Sequence, residues 1–446
     1  GVFLQGNHNG AGSLTLKNGT NIKNNAAGYG GGVFLKGDVK LNSDGADGRV
    51  TISNNTASNG AGIFTQIWTL LGVNHVPDIV LMNTDVLGNT ATQSGGGIYA
   101  ANGVTITAKD SSISNNSAGG WAGGVFAYDG VTLKANNTKF LNNNAAAAGG
   151  LFLWSNSSAD LNNSEVSGNK ATGNGGGVCV YDATCSLTTS NGTVFRENTA
   201  ASGGAIQNGG TLTVEDGVII SGNTATDFGG GILNNGVLTL KKGTSLVENS
   251  AGLYGGGLCS SGTVEVESGA KLYNNHAAQA GDDVYLFGKG STLTLTKVGD
   301  DWMLDDCGHK INGWFADLLD ARWDADGKQE HVINLKDYKT DGITIVPNDD
   351  GSYTITIWDD NATLGLKAAH NVTPKPTPDP DPEPTPTPGP VTPETPENPP
   401  VEDATPDEPA ETPVTPENPE TPPVQDATPD STVAALPKTG VNWFTA

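Results

Sequence analysis

The chain has 446 residues, and its 62 glycines and 24 prolines, with only 36% hydrophobic residues, exclude a compact helical enzyme. Forty-eight acidic against 23 basic residues give a formal net charge of −25, a field that repels nucleic-acid phosphates and anionic lipid, so no nucleic-acid partner is expected. Four cysteines, Cys179, Cys185, Cys259 and Cys307, make neither a disulfide scaffold nor a CxxC metal site.

Gly1-Val2-Phe3-Leu4 opens inside a pattern that recurs later, with no initiator Met and no signal peptide, so the chain reads as a fragment. No stretch reaches the roughly 18 to 20 apolar residues a spanning helix needs. A run of glycines followed by an aliphatic residue returns through the first 290 positions, at Val33, Ile63, Ile98, Val125, Leu151, Val178, Ile206, Ile232, Leu258 and Val284. A second phrase, apolar-x-x-Asn-x-Ala, closes each unit. Its asparagines are Asn25, Asn55, Asn89, Asn116, Asn143, Asn169, Asn198, Asn223, Asn249 and Asn275, spaced 25 to 34 residues apart.

Between the two phrases lie alternating segments such as Thr211-Leu212-Thr213-Val214, which have strand periodicity. Each unit therefore holds about three short strands, and the intervening glycines and Asn-Gly pairs rule out long helices. One such unit cannot bury its own apolar side. Stacked units can, as the coils of a parallel β-helix about 4.8 Å apart, and eleven coils make a rod of roughly 50 Å. In that stack the repeated Asn forms a ladder, each amide donating to the same residue one coil on. The glycines supply backbone freedom at a crowded corner and are no phosphate loop.

After Gly281-Asp282-Asp283-Val284 replaces the glycine run, the composition shifts, and 298–373 reads as a cap over the open end. Trp314, Leu318 and Leu319 stand near helical spacing within 312–323, and 343–357 reads as two strands around the Asn348-Asp349-Asp350-Gly351 turn. From 374 to 435 the chain is Pro, Thr, Glu and Asp in imperfect repeats, too poor in apolar side chains to fold. Extended at polyproline rise, this stalk reaches roughly 190 Å.

The GGGI at Gly95 to Ile98 and FREN at Phe195 to Asn198 resemble the GGA(I)…FxxN repeat of chlamydial polymorphic outer-membrane proteins. The resemblance covers roughly residues 1–290 and implies an extracellular adhesin with a right-handed, pectate-lyase-like coil. It departs at the C-terminus, where nothing is like that family's membrane barrel. Leu436-Pro437-Lys438-Thr439-Gly440 instead resembles the LPxTG sorting signal of Gram-positive cell-wall proteins. That resemblance implies sortase as a partner, cleavage between Thr439 and Gly440, and covalent attachment to cell-wall peptidoglycan, outside the cell.

Candidate chemistry in the rod is sparse. Asn83-Thr84-Asp85 and Asp282-Asp283 resemble two polygalacturonase phrases, but they lie about 200 positions apart, and Arg49, Arg196 and Arg322 have no acidic cluster beside them in sequence. Glu215, Lys241 and Glu267 read as a charge ladder across coils. Asp324, Asp326 and Glu330 read as a solvated turn, with Arg322 where a first calcium ligand would stand, and His309 beside Cys307 is short of zinc ligands. No metal and no cofactor is expected. Cys179 and Cys185 bracket one turn and either pair or stay free, whereas Cys259 is three coils from Cys179 and too far.

If the aliphatic residue after the glycines points inward, the next points outward. That column reads Phe34, Phe64, Tyr99, Phe126 and Phe152, giving way to Cys179 and Gln207, with Trp68, His75, Tyr128, Trp154 and Tyr181 on the corner beyond it. The column either binds, by stacking on glycan rings or meeting a host surface protein, or packs under the corner loops. The expectation is thus an all-β protein: about eleven coils over 1–297, a small cap, a disordered Pro-rich tail, and a truncated sorting signal at 436–446. Its expected role is a wall-anchored adhesin or interaction rod. The rivals are a polysaccharide lyase or hydrolase, and a spacer for a domain upstream.

Overall fold

The computed structural model describes residues 1–6, 12–46, 48–302, 310–318 and 333–369. The repeat phrases become strands because each aliphatic residue after the glycines, and each alternate residue after it, finds a buried site. In Val33–Lys36, Val33 and Leu35 are fully buried while Phe34 and Lys36 face away from the core.

Parallel pairing between successive coils builds three sheets. The first runs from Val2–Gln5 to Val284–Phe287 in eleven parallel strands, and the second from Gly12–Lys17 to Thr292–Leu295 in eleven more. The third has ten strands, from Asn21–Lys23 to Lys271–Tyr273, and a fourth ladder of nine short strands ends at His276–Ala277. Register is held residue for residue: Val125 pairs with Leu151, Leu151 with Val178, and Val178 with Ile206. The stacked aliphatics make one continuous core from Leu16 to Leu295. The structure is therefore a parallel β-helix of eleven turns.

Two corners are set by backbone conformation. The residue before every ladder asparagine is left-handed, with φ between +54° and +65°, whether it is Asn24, Gly88 or Glu197. That conformation costs a side-chain-bearing residue some strain, which the buried amide behind it offsets. At the glycine corner the obstacle is space. A Cβ on Gly150 would stand 2.5 Å from the Gly177 carbonyl oxygen of the next coil, so only hydrogen fits.

The cap closes the end by reversing direction. Thr363–Ala369 pairs antiparallel with Val284–Phe287, and Tyr353–Ile357 antiparallel with Thr292–Leu295. Ile343–Pro347 completes a hairpin with Tyr353–Ile357, and Gly313–Ala316 adds outside Thr363–Ala369. Here the sequence reading needs correction. Trp314 is on this strand and not on a helix, buried with its Nε1 donating to the Thr296 carbonyl at 2.9 Å. Three consecutive buried residues, 314 to 316, mimicked a helical stripe, while the edge left by Thr363–Ala369 required a strand. Leu319 to Trp323 lie outside the described residues, as do Cys307, His309, the 324–330 turn, the 374–435 tract and Leu436 to Gly440.

Candidate binding face

The asparagines form an unbroken internal ladder. Asn143 Nδ2 donates to Asn169 Oδ1 at 3.0 Å and to the Ile113 carbonyl at 2.9 Å, and its backbone N–H donates to the same Oδ1 at 3.0 Å. The pattern recurs at each rung from Asn25 to Asn249. Each buried Oδ1 thus accepts twice and each Nδ2 donates twice. All rungs from Asn55 to Asn275 are at most 1% exposed, so these side chains are structural and reach no ligand.

The ladder ends on acids. Asn275 donates to Asp283 Oδ1 through both Nδ2 and its backbone N–H, and Asp283 Oδ2 accepts from the Ala368 amide of the cap at 2.7 Å. Burial pushes Asp283 up to about 7, against the pull of those hydrogen bonds and of Lys367. Asp282 accepts from the Ala277 amide and from the buried Lys367 ammonium, both at 2.8 Å.

The other carboxylates of the hydrolase phrases are also engaged. Asp85 takes a two-pronged ion pair from Arg49 at 2.6 and 2.7 Å, and Arg49 also donates to the Asp110 carbonyl. Arg196 meets Glu165 at 2.6 Å. Folding thus supplies acidic partners from distant sequence, because coil stacking joins residues 31 to 36 positions apart, while Arg196 also meets its chain neighbour Glu197 at 3.5 Å. Asp85 and Asp282 stand on the third and eleventh coils, roughly 40 Å apart at one strand spacing per coil. Among the described residues, no group of three or more His, Cys, Asp or Glu side chains is placed to hold a metal ion. Lys241 and Glu267 meet at 2.6 Å across adjacent coils.

The outward column is in register from Phe34 through Phe64, Tyr99 and Phe126 to Phe152, with ring centroids 5.0 to 5.6 Å apart. Most of it is not surface. Phe64 is 9%, Phe126 0% and Phe152 2% exposed. Phe126 and Phe152 instead form a second, small apolar cluster outside the coil, with Ala122, Ala148 and Cys179, under Tyr99, Trp121, Tyr128 and Trp154. Burial also pushes the Tyr99 hydroxyl up to about 12.

The cover is the outermost layer. Trp121 lies 6.2 Å from Phe126 and 6.2 Å from Trp154, Tyr128 is 4.9 Å from Trp154, and Trp154 is 5.5 Å from Tyr181. Tyr181 is exposed and the other three partly so. Trp154 therefore stays at the surface, where Phe126 and Phe152 do not. Trp121 was not legible as a site residue: it precedes the glycine corner in a column that reads Tyr29, Asn59, Ser94, Trp121, Ala147, Asn174, Ser202, Phe228, Tyr254 and Ala280, mixing aromatic, polar and small residues without a period. Trp68 sits apart on a small hairpin, Trp68–Leu70 with Val73–His75, pinned by His75 Nδ1 to Asp38 at 2.5 Å. A further aromatic stack, Phe228, Tyr254 and Tyr285, occupies the same corner near the cap.

The cysteines resolve the pairing alternatives. Cys179, Cys185 and Cys259 are free, buried thiols. Cys179 belongs to the outer aromatic cluster and Cys185 to the inner core, so the sheet wall separates them. Cys179 Sγ donates to Gln207 Oε1 at 2.7 Å.

The model of the Chlamydia polymorphic membrane protein repeat family matches residues 49–66. That stretch runs from the third-sheet strand Val50–Ser53 through rung Asn55 and the left-handed Gly60 to the first-sheet strand Ile63–Gln66. It is one ladder-and-glycine corner, and it fits a surface protein in general. No curated protein and no solved structure matched the chain.

Proposed function

We propose that the chain is a surface interaction rod, displayed outside a Gram-positive cell and held to peptidoglycan by sortase acting at Leu436 to Gly440. The observation that carries the binding role is the outer aromatic layer, Trp121, Tyr128, Trp154 and Tyr181, on a wall whose interior is sealed by the Asn ladder. Soluble proteins seldom keep contiguous aromatic surface without a use for it. A lyase or hydrolase is disfavoured, since Asp85 and Asp282 are spent on ion pairs at separate coils. The LPKTG signal behind a Pro/Thr/Glu tract supports the anchor.

The test of anchoring is fractionation of a sortase-positive host expressing the chain with an apolar span and basic tail appended. Wild type is expected in the wall fraction, resistant to boiling detergent and released by a muralytic enzyme, and Thr439→Ala in the membrane fraction. Equal wall attachment of both overturns the sortase reading. For activity, the purified chain is expected to release no reducing or unsaturated ends from polygalacturonate, with or without calcium.

A further inference from the structure

The geometry points to the outer aromatic layer as a binding platform for a neutral, linear polysaccharide, with Trp121, Tyr128, Trp154 and Tyr181 stacking on sugar rings. This rests on reading the rod as a binding surface and adds the ligand's chemical class. Three observations lead there.

First, the rings are held in place. Phe126 and Phe152 form a solid apolar floor under them, and each outer ring touches at least one other at 4.9 to 6.2 Å. Tyr and Trp side chains fixed in this way lose little freedom on binding, which is how a small area yields useful affinity. Second, the shape is a row. Tyr128, Trp154 and Tyr181 come from three successive coils, so rings recur once per strand spacing along the axis. A chain of pyranose rings presents apolar C–H faces at regular intervals and suits such a row. A protein partner would more naturally meet a broad patch with a mixed rim.

Third, the charge selects neutral over acidic chains. The segments that build the platform, 119–130, 146–157 and 173–185, contain Asp129 and Asp182 and no Lys, Arg or His. Burial pushes Asp182 up, but hydrogen bonds from the Thr184 hydroxyl and from the Ser155 and Thr184 amides outweigh it and hold the carboxyl below its usual range. An anionic glycan would meet these carboxylates without a counter-charge, whereas sugar hydroxyls can donate to them.

The experiment is affinity electrophoresis of the full chain in gels containing a β-1,3-glucan, a mannan or a galactan, set against heparin and polygalacturonate. At least one neutral polysaccharide is expected to retard the protein, and neither anionic one. Tyr181→Ala is expected to weaken that retardation by about two- to tenfold, with an unchanged melting curve. Trp154→Ala should weaken it further, and if that variant does not fold, Tyr181→Ala decides. The inference is overturned by any of three results: no retardation by the neutral panel, retardation by the anionic gels to the same degree, or wild-type retardation of both variants. Binding to a protease-sensitive cell-surface receptor with no retention on any polysaccharide overturns the ligand class and leaves the interaction rod standing.

Discussion

Asn275 Nδ2 donates to Asp283 Oδ1 at 2.9 Å, so a ladder of side-chain amides ends on a carboxylate. The change of residue type has a cause. Within the stack, a rung must donate to the next rung and to a backbone carbonyl. At the last position the chain reverses into the antiparallel cap, which presents the Ala368 N–H, and only an acceptor fits. The two aspartates also stand where other coils have glycines. An antiparallel cap strand and not a twelfth coil lies behind them, and their side chains supply the acceptors the next coil would have supplied.

Removing a rung should therefore cost more than the volume suggests. Asn198 accepts from both donors of Asn169 and gives to Asn223 and to the Val166 carbonyl. Asn198→Leu is expected to lower stability by about 1–3 kcal/mol by orphaning these groups, read as a shift of the denaturant midpoint. Asn198→Asp should be at least as harmful, because a carboxylate there faces Asn223 Oδ1.

Asp283 gives the fold a pH dependence of definite sign. Its folded value is raised to about 7 from 3.8, so the folded state binds the proton more tightly than the unfolded chain does. Its contribution is full below about pH 4 and is lost as pH rises through about 7, at no more than about 1.4 kcal/mol per pH unit. The melting temperature of wild type minus that of Asp283→Asn should fall across this window and level off above it. A difference that is flat or rises from pH 4 to 7 would contradict the assignment.

The fold was more legible in the sequence than the site. Apolar-x-x-Asn at a near-constant spacing is enough to place one amide per coil, because nothing else requires a buried polar side chain at that period. The turn residue before it escaped notice, since Asn24, Gly88 and Glu197 share a conformation and not a chemistry. The outward column was traceable from strand alternation alone. Whether Phe126 faced water depended on Trp121, five positions upstream, in a column that mixes aromatic, polar and small residues without a period. Ion pairs such as Arg49 with Asp85 were hidden for the same reason: they join coils at positions with no period. In the cap the repeat stops, and the Trp314 strand could not be told from a helix by spacing.

Glycines differ in what they tolerate between the glycine corner, which holds Gly150, and the Asn191-Gly192 turn ahead of Val194–Arg196. Gly150→Ala places a Cβ 2.5 Å from the Gly177 carbonyl oxygen and is expected to cost about 1–3 kcal/mol or more, as coil spacing cannot widen locally. Gly192→Ala, at φ +79° with nothing within 4 Å, should cost only the left-handed strain of about 1–2 kcal/mol. Thermal melts of the two variants side by side separate steric from conformational need. Equal loss would mean that the coils do not approach as closely as described.

Thiol chemistry tests the two-sided packing of the wall. Cys179 is enclosed among the outer aromatic rings, while Cys185 and Cys259 are buried elsewhere in the coil. Burial pushes the Cys179 and Cys259 thiols well above their usual range, which keeps them protonated and slow to react. In a Cys307→Ser background, the native chain should give almost no reaction with an aromatic disulfide reagent at pH 8. Three thiols should then react in denaturant. Mild oxidation should produce no Cys179–Cys185 bridge on a peptide map, because Cys179 points out of the first sheet into the aromatic cluster while Cys185, in the turn ahead of Ser186–Ser190, packs into the inner core. Recovery of that bridge from folded protein would mean that the strand Val178–Val180 carries Cys179 inward, and with it the register of the whole aromatic column would be wrong.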